Sequence, residues 1–255
     1  MKRRKIDPSA SIERPNLLSP STRVASGARV SGEVRAAGNV LIDSNAVIYG
    51  PVSLAEGTYV GPNCVIGFPD SQELNRLLRS HSSSNKARTS LGRGCIIRSG
   101  SAIYSNVKAG DSVMFGHNVL IRSGVTIGKG TKVGTNVVVD GESSIGSDVS
   151  IQTGVYICTY STVEDGVFLG PYCVFTNDKY MMQKPFKLVG PIVKKGASIG
   201  ANALLFPAVT IGEGAVVGAQ ALVTGDIPPR TVFAGIPARK ISDVPADWRS
   251  ELLGK

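Results

Sequence analysis

From Leu91 to Phe175 an aliphatic, aromatic or small residue stands at every sixth position. The series is Leu91, Ile97, Ile103, Ala109, Phe115, Ile121, Ile127, Val133, Val139, Ile145, Ile151, Ile157, Val163, Leu169 and Phe175. Gly often follows, as at Gly92, Gly116 and Gly134, and the fifth position of each hexad is small or branched, as at Val107, Thr131 and Val155. A period of six is neither the 3.6 of a helix nor the simple alternation of a strand. It predicts a β-solenoid in which each hexad is one short strand and one turn, and three hexads close a triangular coil. The first and fifth residues face a narrow core, and Gly at the second position leaves room where a β-carbon would crowd the corner. Coils stack as parallel strands about 4.8 Å apart, so each residue meets a partner about 18 positions away.

The same register runs earlier through Val24, Val30, Ala36, Ile42, Ile48, Leu54, Val60 and Ile66, and later through Val193, Ile199, Leu205, Ile211, Val217 and Val223. Two breaks interrupt it. Phe68 to Ser90 is an insertion with weak helical spacing around Glu73 to Arg79, and Asn177 to Pro191 must leave the prism as an external loop. Long loops in a compact repeat are often functional. The expected organisation is a basic tail over 1–23, amino-terminal coils over 24–67 and the insertion over 68–90. The main solenoid follows over 91–241 with its loop at 177–191, then a tail with a short docking helix around Trp248 over 242–255.

Composition fits a thin core: 30 Gly, 14 Pro and 6% aromatics in 255 residues point to one elongated domain. Only 18% of residues are charged, which suits lateral faces covered by further copies in a homo-oligomer. Net charge is +9, four units of it in Lys2, Arg3, Arg4 and Lys5. No clustered Lys and Arg with stacking aromatics marks a nucleic-acid surface, so the charge suits a polyanionic small molecule. No apolar stretch has the length of a membrane span, and none follows the basic start as in a secretory signal. Cys64, Cys95 and Cys173 fall at core-filling fifth positions and Cys158 at a corner, so free thiols in a reducing cytoplasm are expected. Two histidines cannot supply a three-histidine zinc site, and no metal is expected.

The hexads, the loop after Val174-Phe175-Thr176-Asn177-Asp178, and the ending Ala234-Gly235-Ile236-Pro237-Ala238-Arg239 resemble the left-handed β-helix acyltransferases. The likeness covers about residues 24 to 241 and implies an all-β fold, a left-handed parallel β-helix. The run Gly166-Val167-Phe168-Leu169-Gly170-Pro171 and the restart Val193-Lys194-Lys195-Gly196-Ala197 more specifically resemble N-acetyltransferases of nucleotide-linked amino sugars. That resemblance implies a homotrimer in the cytoplasm, acetyl-CoA as co-substrate in the groove between prisms, and an amino sugar carried on UDP or dTDP for surface-glycan assembly. Transfer to a different acceptor, O-acetylation included, and a non-catalytic scaffold are the alternatives.

The resemblance also nominates residues. Asn177 stands where the group sets an asparagine against the acceptor, to orient the amine or simply to open the loop as an Asx turn. Asp178 replaces the histidine that related O-acetyltransferases carry there. It would accept the amine proton, bind an ammonium sugar, or be a solvated loop residue. His117 follows a corner Gly and would point outward, as a base, a contact to the nucleotide or sugar, or an interface histidine. It lies ten hexads before Asn177, too far for both to meet the reacting atoms. His81, Tyr180 and Lys184 sit in the two excursions without a feature that selects them. For acetyl-CoA the family pattern carries over to Ala201, Ala219, Thr224 and Arg239, with Lys240 assisting. Small residues would let pantetheine approach the backbone, and Arg239 would meet a phosphate.

Overall fold

The computed structural model describes residues 6–13, 16–80 and 88–248. His81 and Lys2 to Lys5 lie outside them. The chain divides into two compact units, Met1–Gly124 and Val125–Lys255, each a parallel β-solenoid with three faces.

In the first unit one face is formed by Ser11–Ile12, Arg29–Ser31, Val47–Tyr49, Val65–Phe68, Ala102–Tyr104 and Leu120–Ile121. The second is formed by Asn16–Leu18, Val34–Ala36, Val52–Leu54, Thr89–Leu91 and Lys108–Ala109, and the third by Arg23–Val24, Leu41–Ile42, Tyr59–Val60, Ile96–Ile97 and Met114–Phe115. Of the segment expected as a tail over 1–23, the described residues 6–13 and 16–23 are already solenoid. Ile6 bridges to Val24, Ile12 pairs with Val30 and Leu18 pairs with Ala36. Ile6, Ile12 and Leu18 extend the six-residue register, so the coil forms for the same reason as those that follow it.

The insertion leaves between Val65–Phe68 and Thr89–Leu91 and carries a helix, Ser71–Ser80. Leu54 pairs directly with Leu91, so the insertion does not shift the ladder. A reciprocal cap starts the helix. The Glu73 N–H donates to Asp70 Oδ1 at 2.8 Å, and the Asp70 N–H donates to Glu73 Oε2 at 2.9 Å. Glu73 is buried, and its carboxylate also accepts from Ser105 Oγ at 2.6 Å, which ties the helix to the coil below.

In the second unit the faces are Val138–Val139, Tyr156–Ile157, Val174–Phe175, Leu204–Leu205 and Leu222–Val223; then Thr126–Ile127, Ser144–Ile145, Thr162–Val163, Ile192–Val193 and Thr210–Ile211; then Lys132–Val133, Ser150–Ile151, Phe168–Leu169, Ser198–Ile199, Val216–Val217 and Thr231–Ala234. Val163 pairs with Val193, so the external loop likewise leaves and returns without disturbing the register. The expected carboxy-terminal helix is not what the described residues form. Arg239–Asp243 is a strand antiparallel to Thr231–Ala234, and Ala246 and Asp247 form a turn that the Trp248 N–H closes on the Pro245 carbonyl at 3.1 Å. The rest of that expected helix, 249–255, lies outside the described residues.

The register aliphatics are the core: Ile42, Ile97, Ile121, Val139, Ile157, Phe175, Leu205 and Val223 are all buried. Each contributes about 1.5–3 kcal/mol by leaving water. Polar fifth residues are satisfied by backbone; Thr131 Oγ1 donates to the Gly146 carbonyl at 2.8 Å and Ser101 Oγ to that of Gly116 at 3.0 Å. Gly92 confirms the corner argument, since a β-carbon there would stand 2.4 Å from the Gly110 carbonyl carbon. The fourth position carries a second constraint. It turns with positive φ, at 54° in Asn118, and Asn tolerates that region. Among the described residues no helix is long and apolar enough to cross a membrane, and no cluster of three metal-ligating side chains occurs.

Candidate active site

Strand alternation decides what the second unit shows to solvent. On its first face the residue before each buried aliphatic points outward, giving Val138, Tyr156, Val174, Leu204 and Leu222. The equivalent residues of its second face are Thr126, Ser144, Thr162, Ile192 and Thr210. Those of the third face are Lys132, Ser150, Phe168, Ser198 and Val216, so the first face is the most apolar of the three, and two corner ladders flank it.

The ladder that follows the apolar face begins with Asp140, Cys158, Thr176, Phe206 and Thr224, stacked one coil apart. Asn177 follows Thr176, and its Nδ2 donates to the carbonyl of Thr159 at 3.2 Å. Its own carbonyl accepts from the Val189 N–H at 3.2 Å, which closes the neck of the external loop. Among the described residues its Oδ1 accepts no hydrogen bond. Two coils away, Tyr156 Oη donates to Asp140 Oδ2 at 2.5 Å. Thr224 is exposed at the far end of the ladder.

Asp178 shapes the loop. Its Oδ1 accepts from the Tyr180 N–H and its Oδ2 from the Met182 N–H, both at 2.8 Å. Tyr180 packs edge-on against Phe186 with ring centroids 5.3 Å apart, and Lys184 Nζ sits 3.8 Å from the Tyr180 centroid. At the return, Gly190 admits no side chain, because a β-carbon would stand 2.5 Å from Ser161 Oγ.

The other ladder precedes the apolar face and carries Gly170-Pro171, Gly200-Ala201 and Gly218-Ala219. A β-carbon at Gly200 would stand 2.4 Å from the Ala219 nitrogen, so these coils meet with bare backbone at the corner. The Gln220 N–H donates to the Ala201 carbonyl at 2.8 Å, stacking the two alanines. The N–H groups of Ala201 and Ala219 donate to no described residue, and Ala219 is exposed. The turn Gly235 to Ala238 closes over this end. The Leu222 N–H donates to the Gly235 carbonyl at 3.0 Å and the Ala238 N–H to the Leu222 carbonyl at 2.8 Å. Arg239 follows, exposed, with Nη1 on the Ala238 carbonyl at 2.9 Å. Lys240 pairs with Asp243 at 2.7 Å. The structure thus groups Ala201, Ala219 and Arg239 at one corner, and Asn177, Asp178 and Thr224 at the other.

His117 belongs to the first unit. It is exposed at the corner after Met114–Phe115, with Nδ1 2.7 Å from Ser99 Oγ one coil away. The four cysteines are free and buried. Burial pushes the Cys158 thiol up to about 11 and that of Cys173 up to about 12. Asp140 and Tyr156 are functional candidates that the sequence alone does not single out. Their signal is a tyrosine at an outward strand position sixteen residues after a corner aspartate, and it recurs in the first unit, where Tyr59 Oη donates to Asp43 Oδ2 at 2.8 Å. Burial, with the hydrogen bond to Asp43, pushes the Tyr59 phenol up to about 12.

The hexapeptide repeat of succinyl-transferase matches residues 107–141 and 192–224 of this chain. Galactoside O-acetyltransferase of Escherichia coli is 33% identical over 89 residues, 32% of this chain and 44% of that protein. The chain spans between 35% and 48% of the length of the curated relatives it matches. Among solved structures, UDP-N-acetylglucosamine O-acyltransferase of Moraxella catarrhalis superimposes with a TM-score of 0.53 at 13% identity, over 94% of this chain and 75% of that one. The Arabidopsis UDP-N-acetylglucosamine acyltransferase gives 0.52 at 14%, over 93% and 74%. At those identities the likeness is one of fold.

Proposed function

We propose that this protein is an acetyl-CoA-dependent N-acetyltransferase acting on an amino sugar carried by UDP or dTDP, working as a homotrimer in a reducing compartment. The observation that carries the reading is the apolar face between its two corner ladders. An uncharged stripe, aliphatic except at Tyr156, on a flat sheet calls for cover, and another copy of the same solenoid offers a face with the same spacing. Cyclic packing through that face would set the Ala201 ladder of one protomer beside the Asn177 ladder of the next.

The bare Ala201 and Ala219 corner suits a pantetheine arm, with two free N–H groups for its amide carbonyls. Arg239 supplies a guanidinium for a CoA phosphate. The thioester supplies the acetyl group. Asn177 holds the acceptor amine through Oδ1, its Nδ2 being fixed on Thr159, and so supplies orientation. Asp178 orders the loop beside it, and Thr224 lines the same corner. The reading gives the reacting centre to the second unit and asks nothing of His117.

One observation favours a second reading, transfer to a hydroxyl: the matched stretch shared with a galactoside O-acetyltransferase. Asp178, where a histidine base would stand, weighs against it. The deciding experiment is thiol release from acetyl-CoA with a panel of UDP- and dTDP-linked 3-amino and 4-amino sugars beside galactosides and maltose. Turnover with one amino sugar supports the proposal. Turnover only with alcohols replaces it with O-acetylation. Silence on all acceptors without acetyl-CoA binding leaves a scaffold.

A further inference from the structure

Tyr156 is the odd member of its stripe. Its coil neighbours Val138, Val174, Leu204 and Leu222 are aliphatic, yet it carries a phenol and is 36% exposed. Packing alone would be served by Val or Leu. The phenol turns to the corner and meets Asp140 one coil away at 2.5 Å, a charge-assisted O–H···O⁻ contact.

Asn177 approaches the same coil from the opposite side. Asp140 stacks over Cys158, Cys158 over Thr176, and the Asn177 amide reaches back to Thr159. The Tyr156 to Thr159 coil thus has Asp140 bound from one neighbouring coil and Asn177 from the other, the backbones of those two neighbours standing two coil spacings, about 10 Å, apart. An acceptor amine held by Asn177 Oδ1 would lie against this coil, on the side from which Tyr156 also reaches the corner.

We infer that Tyr156 and Asp140 form the proton-accepting pair for the acceptor amine. The inference rests on the N-acetyltransferase reading. As the amine nitrogen forms its bond to the thioester carbonyl carbon, the C–S bond breaks and the thiolate leaves. The proton shed by nitrogen passes to Tyr156 Oη while the phenol proton passes to the Asp140 carboxylate. Tyr156 touches the amine and is the catalytic residue; Asp140 acts through it.

The test compares wild type, Tyr156→Phe, Asp140→Asn, Asp140→Glu and Tyr59→Phe on the amino sugar that wild type turns over. Tyr59→Phe removes the equivalent contact in the first unit and serves as the structural control. The expected result is a kcat lower by about 10²-fold in Tyr156→Phe and Asp140→Asn. Partial recovery is expected in Asp140→Glu, with KM for acetyl-CoA held within about three-fold in each and kcat unchanged in Tyr59→Phe. Wild-type turnover with both variants unimpaired overturns the inference and leaves the proposed function standing. So does a kcat loss that comes with an equal rise in KM and a lowered melting temperature, which would mark a mere staple between coils. Wild type silent on every amino sugar overturns the proposed function and this inference together.

Discussion

Asn177 Nδ2 donates to the Thr159 carbonyl, eighteen residues earlier in sequence and one coil away in space. The bond fixes the amide at the mouth of the external loop and leaves its oxygen without a hydrogen bond among the described residues. Replacing Asn177 with Ala removes one partly buried hydrogen bond, which costs about 1 kcal/mol of stability. It also removes the proposed amine contact. The expected outcome is a kcat lower by about 10²-fold with unchanged acetyl-CoA affinity, read by thiol release and calorimetric titration.

The apolar face predicts assembly. Val174→Asp sets a carboxylate in the middle of the stripe formed by Val138, Leu204 and Leu222. Wild type should sediment at about three times the 26.7 kDa protomer, the variant at the protomer mass with its far-ultraviolet spectrum intact. A wild type that sediments as a protomer would remove the shared groove.

Corner glycines are predicted to be intolerant where coils touch. Gly200→Ala drives a β-carbon to 2.4 Å from the Ala219 nitrogen, and the forced shift should cost about 2–3 kcal/mol. Gly225→Ala meets nothing within 4 Å and should stay within about 0.5 kcal/mol of wild type. Urea unfolding of the two variants checks the contrast.

Polar core positions make a similar demand. Thr131 Oγ1 donates to the Gly146 carbonyl and accepts from the Val149 N–H at 3.1 Å. Thr131→Val keeps the shape but strands both backbone groups, so a loss of about 1–3 kcal/mol is expected. The urea midpoint should fall with the slope unchanged.

Burial raises the thiol pKa of all four cysteines above the usual 9.0, to about 11 in Cys158 and about 12 in Cys173. The folded state therefore holds these protons where the unfolded chain has released them. That contribution is complete below pH 9 and is lost as pH rises toward the folded values. Stability should be flat across neutral pH and fall between about pH 9 and 12. Native protein should resist thiol reagents at pH 8 and react fully once unfolded.

Much of this was legible in the chain. The six-residue register named nearly every buried aliphatic, because a coil of fixed circumference must return each core residue after the same number of steps. It located both excursions for the same reason: a helix or loop may leave the prism only if the chain re-enters in register. The first coils were missed although Ile6, Ile12 and Leu18 keep the spacing, since isolated hexads beside basic residues resemble a tail. The antiparallel strand Arg239–Asp243 was missed because it follows no hexad and exists by pairing with Thr231–Ala234.

The site divides the same way. Repetition by itself determined the stacking of Ala201 on Ala219 and the position of Asn177 at the loop, because both follow from counting along the ladder. Only the tertiary structure decided that Asp178 spends its carboxylate on the Tyr180 and Met182 N–H groups, and that Asp140 meets Tyr156. Register fixes which backbone positions are neighbours. It does not fix where a long side chain turns within its rotamer wells, and hydrogen bonds across a corner depend on that turn.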